Sequence, residues 1–147
     1  MPHHHERRSL PYSADQMYDL VVDVRRYGEV LPWVAAVRIR SDSETETMAD
    51  LIVGFKSLRE SFSSRVLKTP KSKVEVDYLD GPLRHLHNQW LFEEADDGCI
   101  VDFTVDFSFH NRMFEALAGQ FFDHALRKMT DAFIERAGVL YGVGSKS

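Results

Sequence analysis

Apolar residues recur at steps of three and four through the last fifth of the chain, whereas they alternate with polar residues through most of its middle. Between residues 111 and 142 the recurring positions form one stripe of mostly large apolar side chains: Phe114, Leu117, Phe121, Ala125, Met129, Phe133, Ala137 and Leu140. This spacing predicts a single long amphipathic helix. At 1.5 Å per residue the helix would reach about 45 Å, which is longer than closing a small core requires.

The alternating segments predict six to seven strands, over residues 4–10, 37–40, 47–56, 58–68, 74–78, 86–92 and 99–109. Short polar turns separate successive strands, and such turns are typical of an antiparallel meander. After the first strand, Ser13 and Gln16 have the spacing of a capping box and predict a helix start. A second short helix is predicted from Tyr27 to Leu31, where Pro32 ends it. We therefore expect an α+β fold in which a curved antiparallel sheet wraps around the C-terminal helix.

One face of the predicted sheet is rich in aromatic residues. In the last strand Val101, Phe103 and Val105 share a face, while Asp102 and Asp106 point to the other, which must meet water. Such a face is either the core against which the helix packs or the wall of an apolar ligand pocket. On the second interpretation the lining residues would be Leu51, Val53, Phe55, Phe62, Trp90, Phe92, Phe103, Phe107, Phe121 and Phe122.

Three polar residues share this inward face. Glu60, Ser64 and Asn88 have the same strand parity as the aromatic residues around them. A buried carboxylate, hydroxyl or amide is costly unless it has a hydrogen-bond partner. These residues therefore either lie near strand ends, open to solvent, or contact the polar head group of a ligand whose tail lies along the aromatic rings.

Length and charge narrow the function classes. The chain has 147 residues, so we expect one domain over residues 1–147. A formal net charge of -5 does not favour non-specific binding to DNA. Cys99 is the only cysteine, and neither a signal peptide nor a run of ~20 apolar residues is found. We expect a cytoplasmic protein that touches membranes only from their surface.

The chain offers few residues for catalysis or metal binding. His85 and His87 share a strand face, but no third ligand has suitable spacing, so we expect neither a metal nor a required cofactor. Asp102 and Asp106 are interpreted as solubilising charges on the outer face. Glu60 is the one candidate acid for aldol chemistry in an enclosing cavity. We therefore expect a protein that is not an enzyme, with a polyketide cyclase as the alternative.

Several segments resemble the coenzyme Q-binding branch of the START-like polyketide cyclase/dehydrase superfamily. They are residues 10–21 (LPYSADQMYDLV), 24–27 (VRRY), 31–33 (LPW), 53–55 (VGF), 80–83 (DGPL), 90–92 (WLF) and 121–123 (FFD), with further matches from Met129 through Gly142. The resemblance spans nearly the whole chain. It implies a helix-grip fold with a hydrophobic cavity between the sheet and the C-terminal helix.

The resemblance also implies a function. It indicates non-enzymatic binding of ubiquinone (coenzyme Q), or of a related lipid, in support of respiratory electron transfer. A sister branch of ribosome-association toxins makes the large ribosomal subunit the alternative partner. Because quinones reside in bilayers, we expect peripheral contact at the inner face of the respiratory membrane. The candidates for this contact are Trp33, Met113, Phe114 and Leu117.

Overall fold

The computed structural model describes residues 3–55 and 58–142, apart from the side chains of residues 55 and 58. In chain order the elements are β1 (His3–Leu10), α1 (Ala14–Val22), a 3-10 turn (Val24–Arg26), α2 (Tyr27–Val30), β2 (Val34–Asp42), β3 (Glu46–Phe55), β4 (Leu58–Thr69), β5 (Lys73–Asp80), β6 (Leu83–Ala95), β7 (Gly98–Phe109) and α3 (Arg112–Tyr141). The predicted order of strands and helices is confirmed.

The strands form one seven-stranded sheet in the order β1-β7-β6-β5-β4-β3-β2. Every neighbouring pair is antiparallel, and β1 lies beside β7 because the chain returns to it after the meander. β2 begins at Val34, three residues before the predicted start at Val37, because Val34 still pairs with Val53. Bulges between Val34 and Ala36 and between Ile39 and Ser41 explain why the alternation there is weak.

The helix after β1 starts where the capping box predicts. The Ser13 hydroxyl accepts from the backbone N–H of Gln16 at 3.1 Å, and the Gln16 side chain accepts from the backbone N–H of Ser13 at 2.9 Å. These two bonds satisfy orphan donors of the first turn. The helix buries Met17 and Val21 against the sheet and α3. The adjoining turn and α2 then carry the chain back to the start of β2.

The long C-terminal helix is capped by Asn111, whose side-chain oxygen accepts from the backbone N–H groups of Met113 at 2.7 Å and Phe114 at 3.2 Å. Its 30 residues correspond to about 45 Å. The buried stripe is shorter than predicted, because Leu117 is 61% exposed and Leu140 is 48% exposed. Both ends of the helix therefore present apolar side chains to solvent.

Aromatic rings join the helix to the sheet. The Trp90 ring contacts Phe103 at a centroid distance of 4.5 Å and Phe133 of α3 at 5.3 Å. Nearer the start of α3, Phe122 meets Phe62 of β4 at 5.5 Å. Burial of each large apolar side chain stabilises the fold by roughly 1.5–3 kcal/mol. These contacts hold the helix along the inner face of the sheet.

Candidate ligand-binding cavity

A cavity of about 120 Å³ lies between the inner face of the sheet and α3. Five strands, the segment from α2 to β2, and the middle of α3 contribute its walls. The residues that line it are Tyr27, Leu31, Trp33, Val34, Leu51, Val53, Phe62, Ser64, Val76, Tyr78, Leu86, Asn88, Trp90, Val105, Phe121, Phe122, Ala125, Leu126 and Met129. The lining is almost entirely apolar, and none of these residues carries a charge at neutral pH.

The structure brings most of the predicted lining residues together. The predicted residues that line the cavity are Leu51, Val53, Phe62, Trp90, Phe121 and Phe122, joined by the two head-group candidates Ser64 and Asn88. Phe55 ends β3, and its side chain lies outside the described residues. The placement of the strand residues on one wall follows from strand parity, which directs alternate residues to the same face. Phe121 and Phe122 reach the cavity from α3.

Three predicted lining residues are buried in the core and are not among the residues that line the cavity. Phe92 packs edge-on against Tyr18 of α1 at 5.9 Å, and Phe103 lies against Trp90. Phe107 packs on Phe109 at 5.6 Å. Strand parity predicts which face of the sheet a side chain lies on. It does not predict where along that face a helix packs against the sheet and where a cavity remains.

Several lining residues were absent from the predicted set. They are Tyr27, Leu31, Val34, Val76, Tyr78, Leu86, Val105, Ala125, Leu126 and Met129. Strand parity and the helical stripe already place most of them inward. Tyr27 carries no such signal, because it enters the wall only through the reversal of the chain between α2 and β2. Its hydroxyl donates to the backbone carbonyl of Val21, and burial raises the pKa of this hydroxyl.

A hydrogen-bonded amide forms the main polar feature of the wall. Asn88 is 7% exposed, and its side-chain nitrogen donates to the backbone carbonyl of Thr104 at 3.0 Å. Its side-chain oxygen accepts from the indole N–H of Trp90 at 3.0 Å. Because an indole nitrogen can only donate and a carbonyl can only accept, these two partners fix which way the amide faces.

The serine on the neighbouring wall differs from the other buried polar residues. Thr47, Asp50, Asn88 and Thr130 each bond to another group, and Ser64 is the fifth member of this buried set. Within the described residues its hydroxyl makes no hydrogen bond, although the residue is only 7% exposed. A buried hydroxyl without a partner is uncommon in folded proteins. Ser64 therefore presents an unused donor and acceptor to the cavity.

Tyr78 adds a further hydroxyl to the wall. Its oxygen accepts from the backbone N–H of Leu83 at 2.8 Å across the turn between β5 and β6. Burial raises the pKa of this hydroxyl, the Leu83 N–H opposes that rise, and the charges of Asp80 and Glu60 add to it. The tyrosine is therefore neutral at physiological pH and keeps its proton.

The third head-group candidate, Glu60, is not among the residues that line the cavity. The residue pairs with Val53 near the start of β4 and is half-buried. It lies close enough to raise the pKa of Tyr78, which places it towards the strand end that was the alternative interpretation. No carboxylate, histidine or lysine is among the described residues that line the cavity.

Three histidines contact carboxylates on neighbouring strands. On the outer face His5 lies 2.9 Å from Asp102, His3 contacts Asp106, and His87 lies 3.2 Å from Asp77. Asp102 and Asp106 therefore hold β1 to β7 as well as facing water, which the solubilising interpretation did not include. Within the described ranges no three potential ligands are grouped so that they could hold a metal ion.

The four membrane-contact candidates divide into two pairs. Met113 is 82% exposed and Leu117 is 61% exposed on the first turns of α3. Phe114 is half-buried and packs against Phe109 at 5.9 Å and Phe122 at 5.9 Å. Trp33 is half-buried and lines the cavity. Among the described residues no helix is both long and apolar enough to cross a bilayer.

This sheet, its long C-terminal helix and the apolar cavity between them define a START-like helix-grip protein. The sequence model of the family described as polyketide cyclase/dehydrase and lipid transport matches residues 10–134. The chain belongs to this family, and the predicted membership is confirmed.

Two relatives are similar over nearly the whole of this chain. The ribosome association toxin RatA of Pseudomonas aeruginosa is 36% identical over 141 residues, which cover 94% of this chain and 98% of that protein. The mitochondrial coenzyme Q-binding protein COQ10 homolog B of Xenopus laevis is 35% identical over 142 residues, which cover 93% of this chain and 58% of that protein. The chain thus spans little more than half of the latter relative.

The Zhui aromatase/cyclase of a Streptomyces species has the same fold, with a TM-score of 0.78 over 97% of this chain and 99% of that one. Its sequence identity is 16%, so this likeness concerns the fold alone.

Proposed function

We propose that this protein binds ubiquinone, or a closely related isoprenoid lipid, in the cavity and carries it without chemical change in support of respiratory electron transfer. The single observation that carries the proposal is the cavity itself, whose uncharged lining suits a hydrophobic molecule. The relative named for coenzyme Q binding supports the choice of ligand. Removing an isoprenoid tail from water would contribute about 0.8 kcal/mol for each buried methylene.

The size of the cavity limits how such a ligand would fit. A volume of about 120 Å³ is small beside the roughly 300–1,000 Å³ of most ligand pockets. We propose that the quinone ring occupies this space and that the tail leaves between α3 and the sheet. Phe121 is the half-buried lining residue closest along the helix to the exposed Leu117, so this end of α3 is the proposed exit.

The same end of α3 is the proposed site of membrane contact. Met113 and Leu117 project from consecutive turns, and Phe121 continues their row one turn further into the cavity wall. A lipid leaving a bilayer at Met113 would thus follow apolar side chains to the cavity. The proposed contact is a shallow, reversible insertion into the interface.

Ribosome binding is the second candidate function, favoured by the relative named as a ribosome association toxin, almost all of which this chain covers. Co-sedimentation of the purified protein with large ribosomal subunits would test it. If a substitution that fills the cavity leaves ribosome binding unchanged, that result would favour this function over lipid transport.

The proposed function is tested by purifying the protein from its host without detergent and extracting it with organic solvent. Mass spectrometry of the extract should detect a quinone or another isoprenoid lipid at close to one molecule per protein. Recovery of no lipid above the level of a control protein would contradict the proposal.

A further inference from the structure

The cavity wall contains hydrogen-bond donors that the protein itself does not use. Ser64 is nine-tenths buried, and its hydroxyl has no partner within the described part of the chain. One of the two amide N–H groups of Asn88 donates to the backbone carbonyl of Thr104, and the amide oxygen accepts from the indole N–H of Trp90. The second N–H has no acceptor among the described residues. A buried N–H that has no acceptor costs more free energy than a buried carbonyl oxygen that leaves one lone pair unused. The Asn88 amide should therefore bind a ligand atom that accepts a hydrogen bond.

The same wall lacks any group that could neutralise a charge. No lysine, arginine or histidine is among the described residues that line the cavity. An ionised carboxylate or phosphate buried there would lose its hydration without gaining a counter-ion, which is strongly unfavourable. A neutral oxygen acceptor would instead receive hydrogen bonds from groups already in place.

We propose that Ser64 and Asn88 form a subsite for the carbonyl oxygen of an uncharged ligand, and that this subsite excludes lipids with an ionised head group. This inference rests on the proposed function and deepens it, because it states how quinones or ketones would be selected over fatty acids and phospholipids. Ser64 is the specificity-determining residue, since it is 7% exposed and its hydroxyl makes no hydrogen bond with the described residues. Trp90 acts as a positioning residue, because its N–H holds the amide of Asn88.

The inference predicts an unusual pair of effects for Ser64→Ala. Removing a buried hydroxyl that has no partner should leave the melting temperature of the ligand-free protein unchanged or higher. Affinity for decylubiquinone should fall about two- to tenfold, which corresponds to one neutral hydrogen bond. Affinity for decylbenzene, which has the same tail and no oxygen, should stay within about twofold of that of the wild type. Ser61→Ala removes the same hydroxyl from the exposed face of β4 and should change none of these values.

Calorimetric titration of the purified full-length chain with both probes separates the possible failures. Binding of both probes with no loss of decylubiquinone affinity in Ser64→Ala would overturn the inference alone. Failure of both probes to bind the wild type would overturn the proposed function and the inference together. Dodecanoic acid provides the charge test, because it should compete poorly at pH 7.5 and better as the pH falls and its carboxyl becomes neutral. Strong competition by dodecanoate at pH 7.5 would overturn the predicted exclusion of charged head groups.

Discussion

Trp90 and Asn88 lie two residues apart on β6, and the indole N–H of Trp90 donates to the amide oxygen of Asn88 at 3.0 Å. Both side chains point inward because alternate residues of a strand share a face. The bond links the most crowded part of the core to the cavity wall, since the Trp90 ring also packs against Phe103 and Phe133. The orientation of the polar group in the cavity therefore depends on the packing of the core.

Trp90→Phe should lower the free energy of unfolding by about 1–3 kcal/mol, because it removes the donor to Asn88 and part of the buried ring. Urea denaturation followed by circular dichroism measures this change. Trp33→Phe is the matched control. It should cost less, because Trp33 is only half-buried and its side chain donates no hydrogen bond to the described residues. Equal costs for the two variants would show that the bond to Asn88 contributes little.

Ala125→Leu should fill the cavity from the α3 side. Ala125 is 4% exposed and lines the empty space, so a larger side chain should be accommodated with little loss of melting temperature. Decylubiquinone affinity should fall at least about tenfold, because the added atoms take the volume that the ring needs. Ala116→Leu adds the same group to the exposed face of the same helix and should leave affinity unchanged. Unaltered binding by Ala125→Leu would place the ligand elsewhere.

Glu6 should make the stability of the fold sensitive to acid. Burial alone would raise the pKa of its carboxyl, but hydrogen bonds from Arg8 at 2.6 Å, His4 at 3.1 Å and Thr130 at 3.1 Å together lower it from 4.5. A lowered folded-state pKa stabilises the protein above the unfolded-state pKa, and this stabilisation is lost as the pH falls through the folded-state value. The bond to Thr130 makes this a link between β1 and α3.

The measurement is the free energy of unfolding between pH 3 and pH 7 for the wild type and Glu6→Gln. The wild type should be the more stable at pH 7, and the difference should shrink as the pH falls below about 4.5. Glu135→Gln is the matched control, because it alters an exposed carboxylate on α3 and should change the free energy of unfolding little. A constant difference across the range would mean that the ionised form of Glu6 is not what stabilises the fold.

The double variant Met113→Lys and Leu117→Lys should weaken binding to neutral phosphatidylcholine vesicles, because charged side chains cannot enter the hydrocarbon boundary. Sedimentation with the vesicles should show a loss of at least about fivefold in the bound fraction, without a change in the melting temperature. Val139→Lys is the control, since Val139 is 72% exposed at the opposite end of the same helix. A similar loss in the control would exclude a specific contact at the start of α3.

The sequence was sufficient for those parts of the fold that depend on local chemistry. Ser13 and Gln16 predicted their helix start because a capping box is formed by residues three apart. The stripe between residues 111 and 142 predicted α3, because helical periodicity is also a local property of the sequence. The outer parts of the stripe, Leu117 and Leu140, were wrongly placed, because periodicity cannot show where a helix extends beyond the sheet.

The cavity could be predicted only in part. The alternation of apolar and polar residues predicted which strand residues face inward. Ser64 and Asn88 were two polar exceptions among them, and both line the cavity. The alternation did not reveal that Phe103 is not among the lining residues, or that Tyr27 is one of them, because both depend on contacts between distant elements. The orientation of Asn88 likewise depends on Thr104 of another strand.

Native mass spectrometry of the protein purified from its host tests the central claim most directly, because it weighs the intact complex. We predict a major species that exceeds the mass of the chain by one isoprenoid quinone or similarly uncharged lipid, and that Ala125→Leu loses this added mass. A protein found entirely at the mass of the bare chain, in wild type and variant alike, would contradict the account.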